Sequence, residues 1–151
     1  MRGRQKSRRA EAVIQECRSL LEQGAREITL LGQNVNSYGR DKNADRTSFA
    51  ELLYKIAALS GLERLRFVTP HPNDIAPEVI AAFAELDCLC PRLHLPLPPG
   101  SDRLLQAMNR RYDTASSLPV LEDLRYTQPG FIPSAHLLRG FPGGTQQDFQ
   151  T

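Results

Sequence analysis

In the stretch EITLLGQN, residues 27–34, a strand pattern changes into a polar loop. Its first residues are apolar and partly β-branched, which is typical of a short strand. Gly32 ends that pattern, and the side-chain amides of Gln33 and Asn34 follow. Two amides on a loop can bind the carboxylate or amine of a small ligand. Gly and Asn are also the commonest residues of a purely conformational turn, so both interpretations of this loop stay open.

Helix and strand patterns alternate on both sides of this stretch. Apolar residues at helical spacing predict a helix over residues 10–23, and Ser48 with Glu51 forms a capping box for a second helix. Residues 114–126 could form a helix with Leu118, Leu121 and Leu124 facing inward, but Pro119 is tolerated only in a first turn, so a short helix from about Leu118 is favoured. The remaining elements are strands at 62–69, 92–97 and 131–139 and helices that begin near Pro77 and Ser101. This alternation predicts an α/β fold of parallel strands joined by right-handed crossovers.

Polar loops follow the predicted strands, and they are expected to meet at one edge of the sheet. In parallel α/β folds the ligand lies at the carboxyl ends of the strands, where the loops are free to vary. The loops are residues 32–34, 69–72, 98–101 and 140–144. The sequence therefore predicts a binding face at this edge.

Composition limits the class of protein. The chain has 151 residues, 40% of them hydrophobic, and a formal net charge of +2. These values fit one soluble domain, and no apolar run approaches the roughly 20 residues that span a bilayer. Only three cysteines are present, which fits a reducing compartment, so we expect a cytoplasmic protein without disulfides.

Positive charge is concentrated at the start of the chain. The basic residues there are Arg2, Arg4, Lys6, Arg8 and Arg9, and the rest of the sequence is mildly acidic. Such a segment is suited to phosphate contacts, which make binding salt-dependent. The plainer alternative is a solvated, frayed terminus.

Motifs for metal binding and hydrolysis are weak or missing. Cys88, Cys90 and the nearby His94 invite a zinc interpretation, but the Cys-x-Cys spacing is too short and a second ligand pair is lacking. We expect these cysteines and Cys17 to be core or near-surface thiols. The sequence holds no nucleophile elbow, phosphate-binding loop or His-Glu-x-x-His pair, so hydrolases and nucleoside triphosphatases lose support.

Several longer strings together resemble one family. They are RGRQKSR at 2–8, ITLLGQNVNSY at 28–38, FVTPHPND at 67–74, HLPL at 94–97, GSDR at 100–103, MNRRY at 108–112 and GFPG at 140–143. In this order they look like the MiaB-like tRNA methylthiotransferases. These are radical S-adenosylmethionine (SAM) enzymes that insert a methylthio group into an adenosine beside the tRNA anticodon. The similarity covers nearly the whole chain.

The resemblance implies a partial β/α barrel of the radical SAM type, in which residues 1–151 form an incomplete core domain. SAM would lie across the strand ends beside a [4Fe-4S] cluster. Relatives carry the Cys-x3-Cys-x2-Cys cluster motif just before Arg-Gly-Arg, where this sequence has Met1. The first strand with its cluster loop, and the final elements, are therefore expected to be missing. On this basis we expect no cluster on this chain alone and no activity in isolation.

The resemblance also assigns residues. Gln33 and Asn34 would face the methionine end of SAM, and Gly100, Ser101 and Gly140 would line the adenosyl side. Arg2, Arg4, Lys6 and Arg8 would contact cluster-proximal groups or the phosphates of a tRNA partner. The sequence departs from the family at Pro98, Pro99, His136 and Gly144, each of which loses a polar group expected to face SAM.

A second hypothesis belongs to another class. An incomplete parallel sheet has an unpaired strand edge and apolar helix faces without neighbours. The chain would then be a non-catalytic remnant or an interaction module that pairs with a cluster-bearing chain. A third interpretation, a self-contained phosphate-binding barrel fragment, has no motif in its support.

Overall fold

Helices and strands alternate along the chain, as the sequence predicts. The computed structural model describes residues 6–41, 45–68, 74–94, 114–134, 142–143 and 145. The helices are α1 Ala10–Glu22, α2 Phe49–Ala57, α3 Pro77–Glu85 and α4 Thr114–Thr127. The strands are β1 Glu27–Leu30, β2 Arg64–Phe67, β3 Arg92–His94 and β4 Ile132–Ser134, and a 3₁₀ turn covers Val35–Ser37. Within these ranges, the helices are all too short or too polar to cross a membrane.

The strands pair in parallel, which confirms the predicted strand direction. β1 pairs with β2, so that Ile28 lies opposite Leu65, and β3 pairs with β4. A parallel bridge joins Leu65 on β2 to Leu89, which lies shortly before β3. The described residues thus form two short parallel sheets without a closed barrel, and the α/β class is confirmed.

A row of aromatic rings ties the helices to the sheets. Phe49 on α2 meets Phe67 on β2 edge-on at 5.1 Å between ring centroids, and Phe67 lies 5.8 Å from Phe83 on α3. Phe83 in turn meets Phe131, just before β4, at 5.5 Å. All four side chains are buried. Because edge-to-face pairs add to the stabilisation from burial, this row joins both strand pairs into one core.

Two helix starts confirm the sequence analysis. The Ser48 hydroxyl accepts from the Glu51 amide at 3.2 Å, and the Glu51 carboxylate accepts from the Ser48 amide at 2.7 Å. This is the predicted capping box, and it satisfies two backbone donors that the first turn leaves unpaired. Pro77 begins α3, where its fixed φ suits a first turn and its missing N–H costs nothing.

The favoured helix start near Leu118 is wrong, and the alternative, a helix over residues 114–126, is the one that the structure supports. α4 begins at Thr114, so Pro119 lies inside it and cannot donate to the carbonyl of Ala115. Packing outweighs that lost hydrogen bond, because Leu121 and Leu124 are buried in the core. Leu118, which was expected to face inward, is 48% exposed. The helix predicted from Ser101 lies outside the described residues, as do the strand residues beyond 68, 94 and 134.

Gly39 permits the loop after β1 to fold back on the chain. Its φ is +80°, and a Cβ at this position would lie 2.1 Å from the backbone oxygen of Thr47. Its amide donates to the Ser7 hydroxyl at 3.0 Å, so the same residue also touches the segment before α1. Only glycine meets both the positive φ and the close approach.

We expect Gly39→Ala to lower the free energy of unfolding by roughly 3 kcal/mol, because strain at positive φ and a backbone clash add together. Gly24→Ala is the matched control, since Gly24 has φ +99° and no atom within 4 Å of a built Cβ. It should cost about 1 kcal/mol from φ alone. Urea unfolding of both variants measures the difference, and equal losses would contradict the clash.

Candidate functional site

A cavity of about 920 Å³ lies beside the carboxyl end of β1. It is lined by α1, by β1, by the loop after β1 and by the segment before α1. Its polar lining includes Lys6, Arg8, Thr29, Gln33, Asn34 and Tyr38, and its apolar lining includes Val13, Leu20, Ile28 and Leu31. A concave site of this volume, with apolar walls and a few polar groups, suits a small molecule or cofactor.

The cavity brings together four of the residues that the sequence assigned to ligand or phosphate binding. Gln33 is exposed and Asn34 is half-buried on the loop, while Lys6 and Arg8 reach the cavity from the segment before α1. The other assigned positions lie outside the described residues, as do the four departures from the family pattern. Those assigned positions are Gly100, Ser101, Gly140, Arg2 and Arg4.

The segment before α1 is held in place by the loop after the 3₁₀ turn. The Ser7 amide donates to Asp41 at 3.1 Å, and the Ser7 hydroxyl accepts from the Gly39 amide. The Tyr38 hydroxyl donates to the Arg8 carbonyl at 2.7 Å. Residues 6–9 are therefore fixed against the loop rather than frayed. This places the cations of Lys6 and Arg8 beside the cavity.

Asp45 completes this attachment at the start of α1. Its carboxylate accepts from the Ala10 amide at 2.7 Å and from the Thr47 amide at 3.2 Å. The hydrogen bond from the Ala10 amide, followed by that from Thr47, holds the pKa of Asp45 below its usual range. Burial and the charge of Asp45 raise the pKa of Tyr38, which keeps the phenol a hydrogen-bond donor.

Arg8 also forms an ion pair with a residue of α1. Its guanidinium lies 2.6 Å from the Glu16 carboxylate, and both side chains are more than half exposed. An exposed pair of this kind adds little to stability. It does orient the Arg8 side chain along α1, and both Arg8 and Glu16 line the cavity.

A polar network behind the cavity was not foreseen from the sequence. The Asn34 side-chain amide donates to one oxygen of Asp74, and Arg40 donates to the other oxygen at 2.6 Å. Arg40 also reaches the Asp74 carbonyl at 3.4 Å. Asp74 belongs to the string at 67–74 that resembles the family, which is the only signal that singles it out. Nothing in the local pattern shows that two residues 40 positions apart meet.

Two amide side chains on the loop hold unpaired buried atoms. Among the described residues, Asn34 Oδ1 and both polar side-chain atoms of Asn36 have no hydrogen-bond partner. Asn36 is 3% exposed. Nearly all buried polar groups in proteins are paired, so these atoms are exceptions, and Asn36 is not among the residues that line the cavity.

The sheet face opposite the helices carries a group of ion pairs that the sequence pattern does not predict. Glu27 on β1 accepts from Arg64 at 2.7 Å and from Arg66 at 2.8 Å, both on β2. The hydrogen bond from Arg64 is the main cause that lowers the pKa of the Glu27 carboxyl. The parallel register creates this group, because it sets Glu27 opposite Arg64.

The three cysteines are free thiols, as expected. Cys17 is buried on α1, and burial is the main cause that raises its pKa. Cys88 and Cys90 are half-buried on either side of Leu89, at the bridge to β2. No group of three metal-ligating side chains occurs in the described parts of the chain. These cysteines therefore do not fit a cluster that needs three neighbouring thiolates.

Known proteins resemble this chain along nearly its whole length. The sequence model of the radical SAM superfamily matches residues 1–151. A protein of Nitratidesulfovibrio vulgaris strain DP4, called tRNA-2-methylthio-N(6)-dimethylallyladenosine synthase, is 62% identical over 148 residues, which are 98% of this chain and 33% of that protein. Proteins of the same name from Oleidesulfovibrio alaskensis and Geobacter sulfurreducens are 58% and 50% identical over 99% of the chain. The chain spans about a third of the length of these relatives.

Asp45 makes the attachment of the first segment pH-dependent. Because the folded state lowers its pKa, its stabilising contribution is complete above about pH 4 and is lost as pH falls through the folded value. We therefore expect Asp45→Asn to destabilise the chain at about pH 6, and this deficit to shrink as pH falls below about 4. Urea unfolding at about pH 6 and below about pH 4 measures this. Asp123→Asn, on the exposed side of α4, should show no such change, and a constant Asp45→Asn deficit would contradict the account.

Proposed function

The chain belongs to the radical SAM superfamily, and from this premise we propose that it is the SAM-binding part of a tRNA methylthiotransferase core. The observation that carries the proposal is the cavity at the end of β1, which is lined by the Gln33 and Asn34 amides and by two cations. The relatives are named for methylthiolation of a tRNA adenosine. We propose that a longer polypeptide or complex, of which this chain is a part, carries out that reaction.

The residues at the cavity fit an amino-acid-bearing ligand such as SAM. The volume of about 920 Å³ suits a molecule of that size. Asn34 contributes a half-buried amide and Gln33 an exposed one, and amides can bind an ammonium and a carboxylate. We place the methionine end of SAM here. The adenosyl side is assigned to Gly100, Ser101 and Gly140, which lie outside the described residues.

We assign the thiolate ligands of the [4Fe-4S] cluster to polypeptide outside these 151 residues. In this superfamily a [4Fe-4S] cluster supplies the electron that cleaves SAM. Since Cys17, Cys88 and Cys90 do not form a set of three ligands, we propose that the thiolates come from outside residues 1–151. They would belong to the same longer chain or to a partner. The isolated 151-residue chain is then expected to bind SAM without cleaving it.

We further propose that the two parallel sheets are parts of one partial β/α barrel, which makes residues 1–151 a partial core domain. The parallel strands and the bridge between Leu65 and Leu89 support this assignment. The charged face of Glu27, Arg64 and Arg66 would then line the barrel interior. Helices α1 to α4 would cover its outside.

The basic segment before α1 supports the nucleic-acid part of the proposal. Lys6 and Arg8 lie at the cavity on a backbone fixed by Tyr38 and Asp41. Cations in this position can contact the phosphates of a tRNA whose adenosine enters the site. Arg2 and Arg4 would extend the same contact. A tRNA substrate also agrees with the cytoplasmic location expected from composition.

One observation favours the second candidate, an interaction module that pairs with a cluster-bearing chain. Leu31 is 77% exposed and Leu20 is 42% exposed, and both line the same cavity. Apolar side chains beside a strand edge favour association with another polypeptide. Co-purification of a cysteine-bearing chain that buries Leu20 and Leu31 would support this candidate, whereas a monomer that binds SAM would not need it.

We expect the 151-residue chain to bind S-adenosyl-L-homocysteine, a stable relative of SAM, with micromolar affinity. Gln33→Ala and Asn34→Ala should each weaken binding about tenfold, because each removes a hydrogen bond to the amino-acid end. Isothermal titration calorimetry measures this. Gln15→Ala is the matched control, since Gln15 is exposed on α1 and does not line the cavity.

Two results would count against the proposal. A wild-type chain that binds no S-adenosyl compound would overturn the assignment of the cavity. Binding that survives Gln33→Ala unchanged would remove Gln33 from the site and leave the cavity assignment to Asn34.

The proposed phosphate contacts predict a salt effect. Lys6→Gln and Arg8→Gln should each lower the slope of log Kd for tRNA against log salt concentration by about 1, because each releases fewer counterions. Arg8→Gln leaves the backbone bond to Tyr38 in place. Fluorescence anisotropy with labelled tRNA measures the slope. Arg125→Gln, on the exposed side of α4, should not change it, and an equal change in that variant would make the effect nonspecific.

A further inference from the structure

We propose that Glu16 is a specificity-determining residue of the cavity, which favours the positively charged sulfonium of SAM over the neutral thioether of S-adenosyl-L-homocysteine. The inference rests on the proposed function, because it concerns the same cavity. It adds a residue on α1 to the amides on the loop after β1. It also names the ligand atom that this residue distinguishes, which is the sulfur.

One face of α1 forms a wall of the cavity, and Glu16 belongs to that face. The residues of this wall are Val13, Glu16, Cys17 and Leu20. They follow one another at helical spacing, so their side chains lie on one side of the helix. The Glu16 side chain is 54% exposed, and its carboxylate is therefore accessible from the cavity.

The cavity wall carries both signs of charge, but unequally. Among the described residues that line the cavity, Lys6 and Arg8 are cations and Glu16 is the one acid. The two cations repel a positively charged ligand atom, and a neutral amide such as that of Gln33 offers only a dipole. Glu16 is therefore the group that makes a positive charge favourable in this cavity.

The ion pair with Arg8 leaves one oxygen of Glu16 available to a ligand. The Arg8 guanidinium lies 2.6 Å from Oε2, whereas Oε1 has no ion-pair partner in the described parts of the chain. Because both side chains are more than half exposed, the pair is weak and rearranges at little cost when a ligand enters. A ligand cation can thus approach Oε1 while Arg8 stays at Oε2.

The pKa of Cys17 supports a negative potential at this wall. Cys17 also lines the cavity, and burial is the main cause that raises the pKa of its thiol. The charge of Glu16 raises this pKa further, and its effect is larger than the opposite effect of Arg8. At this point of the wall the carboxylate therefore outweighs the guanidinium, although the two groups form an ion pair.

Two ligands that differ only at sulfur separate the role of Glu16 from that of the loop amides. SAM and S-adenosyl-L-homocysteine share the adenosine and the amino acid, so contacts from Gln33 and Asn34 to those parts act on both. SAM alone has the extra methyl group and the positive charge on sulfur. A change in affinity that is confined to SAM therefore reports on the group that acts on the sulfonium.

The test measures the dissociation constants of both ligands for the 151-residue chain by calorimetry. We expect Glu16→Gln to weaken SAM about fivefold and to leave S-adenosyl-L-homocysteine unchanged, because glutamine keeps the size and polarity of the side chain and removes only its charge. Higher salt should reduce this effect, since screening weakens contacts between exposed charges. Glu11→Gln is the matched control, because Glu11 is exposed on the same helix and does not line the cavity.

The outcomes separate the inference from the proposed function. If wild type binds neither ligand, the proposed function fails and the inference falls with it. If wild type binds both and Glu16→Gln weakens both equally or neither, or if Glu11→Gln has the same effect, the inference alone is overturned. If Glu16→Gln does not fold, as judged by circular dichroism and thermal melting, Arg8→Gln decides. It removes the competing cation, so tighter binding of SAM relative to S-adenosyl-L-homocysteine supports the inference, whereas an unchanged or lower preference overturns it.

Discussion

The parallel pairing of β1 with β2 is the contact on which the rest of the structure depends. It sets Leu30 opposite Phe67, so the residues after each strand leave the sheet at the same edge. The loop with Asn34 therefore lies against the segment that begins at Asp74, and the two side chains meet. The same register brings Glu27 to Arg64 and Arg66. The Asn34–Asp74 contact and the ion pairs of Glu27 therefore both follow from the register of β1 with β2.

The loop after β1 both lines the cavity and holds the segment before α1 in place. Its first residues line the cavity, and its later residues fold back through Gly39 to hold the segment before α1. Tyr38, Asp41 and Asp45 provide the contacts. The cations of Lys6 and Arg8 are therefore placed by the same loop that carries Gln33 and Asn34. Under the proposed function, SAM binding and phosphate binding would share one support.

Local features of the fold were predictable from the sequence, and long-range ones were not. The capping box at Ser48 depends on residues three apart, and the parallel strands follow from the alternation of short elements. The start of α4 was missed because tertiary burial of Leu124 outweighs the local cost of Pro119. Within the site, Gln33 and Asn34 were found from the loop and the resemblance. The contact of Asn34 with Asp74 was not, because the two residues meet only once β1 and β2 are paired.

We propose that the cavity at the end of β1 receives the amino-acid end of an S-adenosyl ligand. The most direct measurement is a titration of the isotopically labelled chain with S-adenosyl-L-homocysteine, followed by amide NMR. The backbone and side-chain amides of Gln33 and Asn34 should shift first and most, while amides on α4 stay in place. Saturable shifts confined to other elements, or no shifts at all, would contradict it.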